Sequence, residues 1–380
     1  MSRLSPYLGI IFALIVGVAA IIVANESAVV SVTPARTPRA ASSTFSIVPP
    51  SPPVALPDQS VPQKVAASAG KTQSKTGITA PTPAPVVREP VPAATSTPPA
   101  LSGNAALDTA AAALRGALVN IMCYAPAGSV LHSISGSGVF IDSKGIIITD
   151  AHVAQYFLLA DRGVSCTIRT GSPAADAYKA ALIYISPAWV HANATVLTQA
   201  APTGTGEYDF AFLAVTGSAT AAPLPASFPS LPLAQAAPAA LAPVVIASFG
   251  AQFLDPTEIR SDLFPTVVFG SVKDIYTFDT DTVDVLSLGG SAAAQEGSSG
   301  GGVASASGSL VGMITTSTVQ GATATRSLSA ITSSYIRSEY SREMGTSLDT
   351  LLAEPTTVAV ADFAPEIPLL ESILTADLSQ

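Results

Sequence analysis

Gly297-Ser298-Ser299-Gly300-Gly301-Gly302-Val303 is the stretch on which the fold reading turns. A small-residue run, 291–295, precedes it, and an apolar strand-like segment, 310–316, follows. A serine among glycines, taken alone, reads as a loop. Two other stretches change that reading. Ile147-Ile148-Thr149-Asp150-Ala151-His152 is a β-rich run that ends in a histidine, and Asp209 opens the apolar run Phe210-Ala211-Phe212-Leu213-Ala214-Val215. A serine hydroxyl is a weak nucleophile at neutral pH and needs a base to take its proton. An imidazole serves once a carboxylate holds its second nitrogen in the right tautomer. His152, Asp209 and Ser299 supply these three groups in an order known for such triads. For Asp209 alone, a turn cap before a strand is the competing reading.

The three segments resemble those of the chymotrypsin-like serine peptidases, whose patterns are T-A-A-H, D-[IL]-A and G-[DN]-S-G-G. They look closest to the HtrA/Deg branch, because Gly136-Ser137-Gly138-Val139-Phe140-Ile141 and the short hairpin after it match that branch's G-S-G-x-x-[IF]. The resemblance spans roughly 105–340. It implies two six-stranded antiparallel β-barrels, with His152, Asp209 and Ser299 as the catalytic triad. It further implies an oxyanion hole made by the backbone N–H groups of Gly297 and Ser299. In the family the base of the pocket for the acyl-side substrate residue lies six positions before the nucleophile, which is Ala293, with a wall at Thr315-Thr316-Ser317. None of these is charged, so cleavage after small or medium apolar residues is expected.

Departures from the pattern carry information. Ser298 stands where zymogen-activated members have Asp, so activation by cleavage is not expected. Gly302 replaces the usual proline, which loosens the loop. Asp150 replaces the small residue two before the histidine, and two readings are open: a carboxylate beside His152 that raises its pKa, or one that points to solvent.

Beyond these motifs the 380-residue chain is apolar and acidic, with 48% hydrophobic and 11% charged residues, 31 prolines and net charge −9. No basic cluster is visible, so nucleic acid is excluded as a partner. Three histidines (His132, His152, His191) and two cysteines leave no convincing zinc constellation, and neither a metal nor another cofactor is expected. Cys123 and Cys166 lie in strand-like runs; a disulfide and a pair of buried thiols are both open.

Four regions follow. Residues 1–32 contain the uninterrupted apolar run 8–24, preceded by Arg3 and followed by Glu26. This reads as a transmembrane anchor with its N-terminus in the cytoplasm, a cleaved signal peptide being the alternative. Residues 33–100 hold about half of the prolines and one aromatic, Phe45, and read as a disordered tether. The peptidase domain is placed at 101–345, an all-β unit with an alanine-rich helix at 104–116 and a closing helix at 331–342. Residues 346–380 carry no Lys or Arg and form an acidic tail whose apolar residues, such as Leu351, Leu352, Phe363, Leu369 and Leu370, suggest partial docking; it is far too short for the PDZ domain that many HtrA relatives carry. The chain so read is a membrane-anchored serine endopeptidase acting on extracytoplasmic proteins or peptides, of unassigned oligomeric state. The alternative is a catalytically weak or inactive binding or scaffolding module on the same fold at the cell surface.

Overall fold

The structure is a computed structural model that describes residues 103–199, 204–278 and 282–379. The expected anchor (1–32) and tether (33–100) therefore lie outside the described residues. Among the described residues no helix is long and apolar enough to cross a membrane.

The described chain opens with the helix Ala105–Ala117. Asn104 caps it by accepting from the N–H groups of Ala106 and Leu107, and Leu107, Ala110, Ala111, Leu114 and Ala117 form its buried stripe. Six strands follow: β1 (Leu118–Tyr124), β2 (Ile134–Asp142), β3 (Ile146–Thr149), β4 (Ser165–Gly171), β5 (Ala174–Ile185) and β6 (Ala211–Ser218). They close into a barrel in the order β1-β2-β3-β6-β5-β4, all neighbours antiparallel. The runs Ile146-Ile147-Ile148 and Phe210-Ala211-Phe212-Leu213-Ala214 are buried throughout, as expected of strands covered on both faces. Cys123 and Cys166 are register partners on β1 and β4, and a disulfide joins them.

The second half departs from the expected six-stranded barrel. Its strands are β7 (Pro243–Ser248), β8 (Thr266–Ser271), β9 (Asp274–Tyr276), β10 (Val285–Ser287), β11 (Gly302–Ser305), β12 (Leu310–Ser317) and β13 (Leu328–Thr332). They form one seven-stranded sheet, β8-β7-β11-β12-β13-β10-β9, whose two edge strands do not pair with each other among the described residues. The fold is thus a trypsin-like double barrel in which one half is closed and the other is a half-barrel. Two of these strands carry little signal in the sequence. Asp274–Tyr276 is exposed along its length and shows no apolar alternation, while Leu328–Thr332 runs directly into the helix Ser333–Met344, whose pattern masked it.

Residues 346–380 dock through their apolar residues, as expected, and are helical as well. They fold into helices Leu348–Ala353, Thr356–Phe363 and Ile367–Thr375. Leu348, Leu351, Ala359, Phe363, Leu370 and Leu374 enter the main hydrophobic core. Arg162 holds them from the first barrel, with Nε 2.6 Å from Glu371 Oε1 and Nη2 donating to Thr375 Oγ1. Glu343 ties the helix Ser333–Met344 to the same barrel by accepting from Tyr184 Oη, Ser186 Oγ and the Ala188 N–H.

Candidate active site

Register brings the first two groups together. β3 pairs with β6 so that Thr149, the last residue of β3, faces Ala211, the first of β6. His152 stands three residues beyond one end and Asp209 two residues before the other. His152 lies on the single-turn helix Ala151–Ala154, and its Nδ1 is 2.8 Å from Asp209 Oδ2. The other oxygen, Oδ1, accepts the His152 backbone N–H at 2.9 Å. Thr315 Oγ1 donates to Oδ2 at 3.0 Å. Asp209 is 6% exposed, and three donors hold its orientation. The backbone beside it is strained: Tyr208 adopts φ +57°, and its N–H is held by Tyr335 Oη at 3.1 Å.

Ser299 comes from the other half. The Ser137 N–H donates to the Ser299 carbonyl at 2.7 Å, and Ser137 Oγ donates to the Gly297 carbonyl at 2.8 Å. Ser137 Oγ also accepts the Phe249 N–H at 2.8 Å. One serine of the Gly136-Ser137-Gly138 motif, buried completely, thus fastens the nucleophile loop to the first barrel. Gly300 has φ +83°, and a Cβ there would stand 2.0 Å from the Ser137 carbonyl oxygen, so only glycine permits this approach. Gly302, read from sequence as a loosening of the loop, has a packing reason instead. A Cβ would meet Leu114 Cδ1 at 2.7 Å and Val139 Cγ2 at 2.9 Å, where the helix Ala105–Ala117 crosses.

The backbone N–H groups of Gly297 and Ser299 donate to no group among the described residues, while those of Ser298, Gly300 and Gly301 are all committed. The two uncommitted amides are those assigned to an oxyanion hole. The Ser299 hydroxyl makes no hydrogen bond to His152 in this state; such contacts tighten when substrate is present.

Asp150 is the group whose position the sequence left open. It is fully buried, with Oδ2 3.7 Å from His152 Nδ1, and neither oxygen has a hydrogen-bond partner. The nearby Gly300 N–H is already given to the Ile314 carbonyl at 2.8 Å. Burial, then the Asp209 charge, push the Asp150 carboxyl well above the usual carboxylate range. For His152 burial acts downward, but the Asp209 charge, its hydrogen bond and the Asp150 charge outweigh it and lift the imidazole to about 9. Asp150, His152 and Asp209 have ligand atoms within 4.8 Å of one another, close enough to hold a cation. The hydrogen bond between Nδ1 and Asp209 Oδ2 already occupies the space between two of them.

The residues expected to line the substrate pocket differ in exposure. Thr315 donates to Asp209 and supports the carboxylate. Ala293 is fully buried in the second hydrophobic cluster, with Val272, Leu288 and Ile314, and offers no surface to a substrate. Thr316 and Ser317 are partly exposed on the outgoing end of β12. Sequence reasoning missed Arg326, which is buried beside Ala294 and Gly321. Its signal was present, as the only charged residue between 297 and 336. A cavity of about 660 Å³ is lined by Glu207, Tyr208, Asp284, Tyr335, Glu339 and Arg342 among others, and contains none of His152, Asp209 or Ser299.

A closed six-stranded barrel, a half-barrel, and a histidine, an aspartate and a glycine-flanked serine at their junction define a chymotrypsin-like serine peptidase. The comparisons agree: the family model of the trypsin-like peptidase domain matches residues 136–313. The chain thus carries, over residues 136–313, a trypsin-like peptidase domain, the domain of a serine endopeptidase. Among solved structures it is similar to the active form of the Rv3671c protease of M. tuberculosis, with 19% identity and a TM-score of 0.40, covering 68% of this chain and 94% of that one. The inactive form of the same protease shows 18% identity and a TM-score of 0.40, over 65% of this chain and 99% of that one. No curated protein matches the chain.

Proposed function

We propose that Ser299 is the nucleophile, His152 the general base and Asp209 the group that orients it. Asp209 accepts the Nδ1 proton, which leaves Nε2 with its lone pair toward the serine. His152 takes the hydroxyl proton as Oγ attacks the scissile carbonyl, then returns it to the leaving amine. The Gly297 and Ser299 N–H groups receive the oxyanion. The observation that carries the reading is the 2.8 Å Nδ1–Oδ2 contact in a chain whose Gly297 and Ser299 amides are uncommitted. No activation cleavage is needed in this scheme, as Ser298 replaces the usual Asp.

Labelling the full chain with a fluorophosphonate probe tests the assignment. The probe should attach at Ser299, and Ser299→Ala and His152→Ala should each lower peptide hydrolysis by several orders of magnitude. A folded wild-type chain that does not label would instead support the binding or scaffolding module.

The apolar run 8–24 supports a placement of the peptidase outside the membrane, with the N-terminus in the cytoplasm and 33–100 as its tether. Its substrates are then extracytoplasmic proteins or peptides. Protease added to intact cells should release the domain by cutting within 33–100. Protection until the membrane is lysed would reverse the orientation.

A further inference from the structure

Two arginines of the described chain are almost completely buried, and they differ in one respect. Arg169, 3% exposed, donates to Asn120 and to three carbonyls, and has the Asp176 carboxylate 3.4 Å from its Nε. Arg326, 5% exposed, has only neutral partners. Its Nη1 donates to Gln252 Oε1 and to the Ala294 carbonyl, both at 2.6 Å; Nε and Nη2 donate to the Gly321 carbonyl at 3.0 and 2.8 Å. No carboxylate among the described residues lies within ion-pair distance of it. Of the five N–H donors of a guanidinium, one on Nη2 is left over. Such a cation has lost most of its hydration without gaining an anion.

Its place gives the cation a use. Ala294 belongs to the loop that leads into Gly297 and Ser299, while Gly321 belongs to the segment leaving β12, whose Thr315 holds Asp209. The guanidinium therefore bridges the two segments that flank the nucleophile on its second-sheet side. Residues 318–327 are exposed or half-exposed except Arg326, which alone turns inward. The Phe253 ring lies over it, 5.6 Å from centroid to Cζ, and is itself 65% exposed. No other charged residue occurs within 289–295 or 315–327, so the wall around Arg326 is otherwise neutral.

Resting on the catalytic reading of Ser299, we infer that the acyl-side pocket accepts an acidic side chain, glutamate above all, whose carboxylate pairs with Arg326. The carboxylate takes the free Nη2 donor and displaces a neutral acceptor, giving the cation the counter-ion it lacks. A glutamine has the same shape without the charge and cannot do so. A lysine would place like charge against like charge. This replaces the apolar preference expected from Ala293 and its neighbours, which counted neutral residues and left out the arginine.

The test uses the full chain and peptides identical except for Glu, Gln, Leu or Lys before the scissile bond, with kcat/KM measured for each. Glu should exceed Gln by at least about tenfold, and Lys should be the poorest. In Arg326→Gln the Glu/Gln ratio should fall to near one; the ratio is taken within each protein, so a general loss of activity cancels. Equal cleavage after Glu and Gln, a preference for Leu, or a ratio kept in Arg326→Gln would overturn the inference. If that variant does not fold by circular dichroism, the wild-type ratio alone decides. A wild-type chain that labels with fluorophosphonate yet ignores the Glu charge refutes only the pocket assignment. One that neither labels nor cleaves refutes the catalytic reading with it.

Discussion

Replacing Asp150 with Asn removes a buried charge 3.7 Å from the base while keeping its size. Two unit charges at that separation interact by about 4.5 kcal/mol at an effective dielectric near 20, and by about 1 kcal/mol in water. The His152 side chain is 35% exposed, which favours the lower end, and the upward push of burial on the Asp150 carboxyl works in the same direction. About 1.4 kcal/mol, or roughly one pH unit, is the expected effect. The sign follows from which form works. Hydrolysis needs the neutral imidazole, and Asp150 favours the charged one, so Asp150→Asn lowers the acid-limb pKa of kcat/KM from about 9 toward 8. At pH 7 the reactive fraction then rises by up to about tenfold. Stability gives a second readout. A carboxyl whose pKa is raised on folding binds its proton more tightly in the folded chain, so its penalty is absent below about pH 4 and grows as pH rises toward the folded value. The variant should therefore gain melting temperature at pH 7 and not at pH 4. The assay is a pH profile of kcat/KM from pH 5 upward for both proteins. An acid limb that moves by less than about 0.3 unit would refute the view that Asp150 tunes the base.

Thr315→Val removes one of three donors to a buried carboxylate and should lower kcat by about ten- to a hundredfold, measured against peptide substrate. Gly300→Ala and Gly308→Ala form a matched pair, because both glycines have positive φ but only the first has no room for a Cβ. Gly308→Ala should cost about 1–2 kcal/mol in denaturant titration, whereas Gly300→Ala should cost clearly more and also abolish labelling at Ser299. Cys123→Ser should lower stability by about 3–4 kcal/mol, as expected for a bridge that closes a loop of 43 residues, and non-reducing mass spectrometry should find no free thiol in the wild type.

Much of the first barrel could be read from the chain because its strands are continuous apolar runs set off by turns, and such runs have few other places to go. The same holds for the order His152, Asp209, Ser299 and for the glycines around the serine, since that chemistry tolerates few other residue types. Less could be read of the second half. Asp274–Tyr276 is a strand only because β10 offers it an edge, and the acidic residues 346–380 fold because the first barrel gives their leucines a surface to cover.

The sequence by itself thus determined the class of fold and the three residues proposed as the triad. Each is dictated by local pattern or by the chemistry of single residue types. Tertiary structure decided what depends on neighbours distant in the chain. It set Thr315 as a donor to Asp209 and buried Ala293 in the core. It placed Asp150 beside His152 without a donor of its own. It also folded Arg326 inward among neutral carbonyls, and a charge acquires its meaning from burial and counter-ions, which no linear spacing encodes.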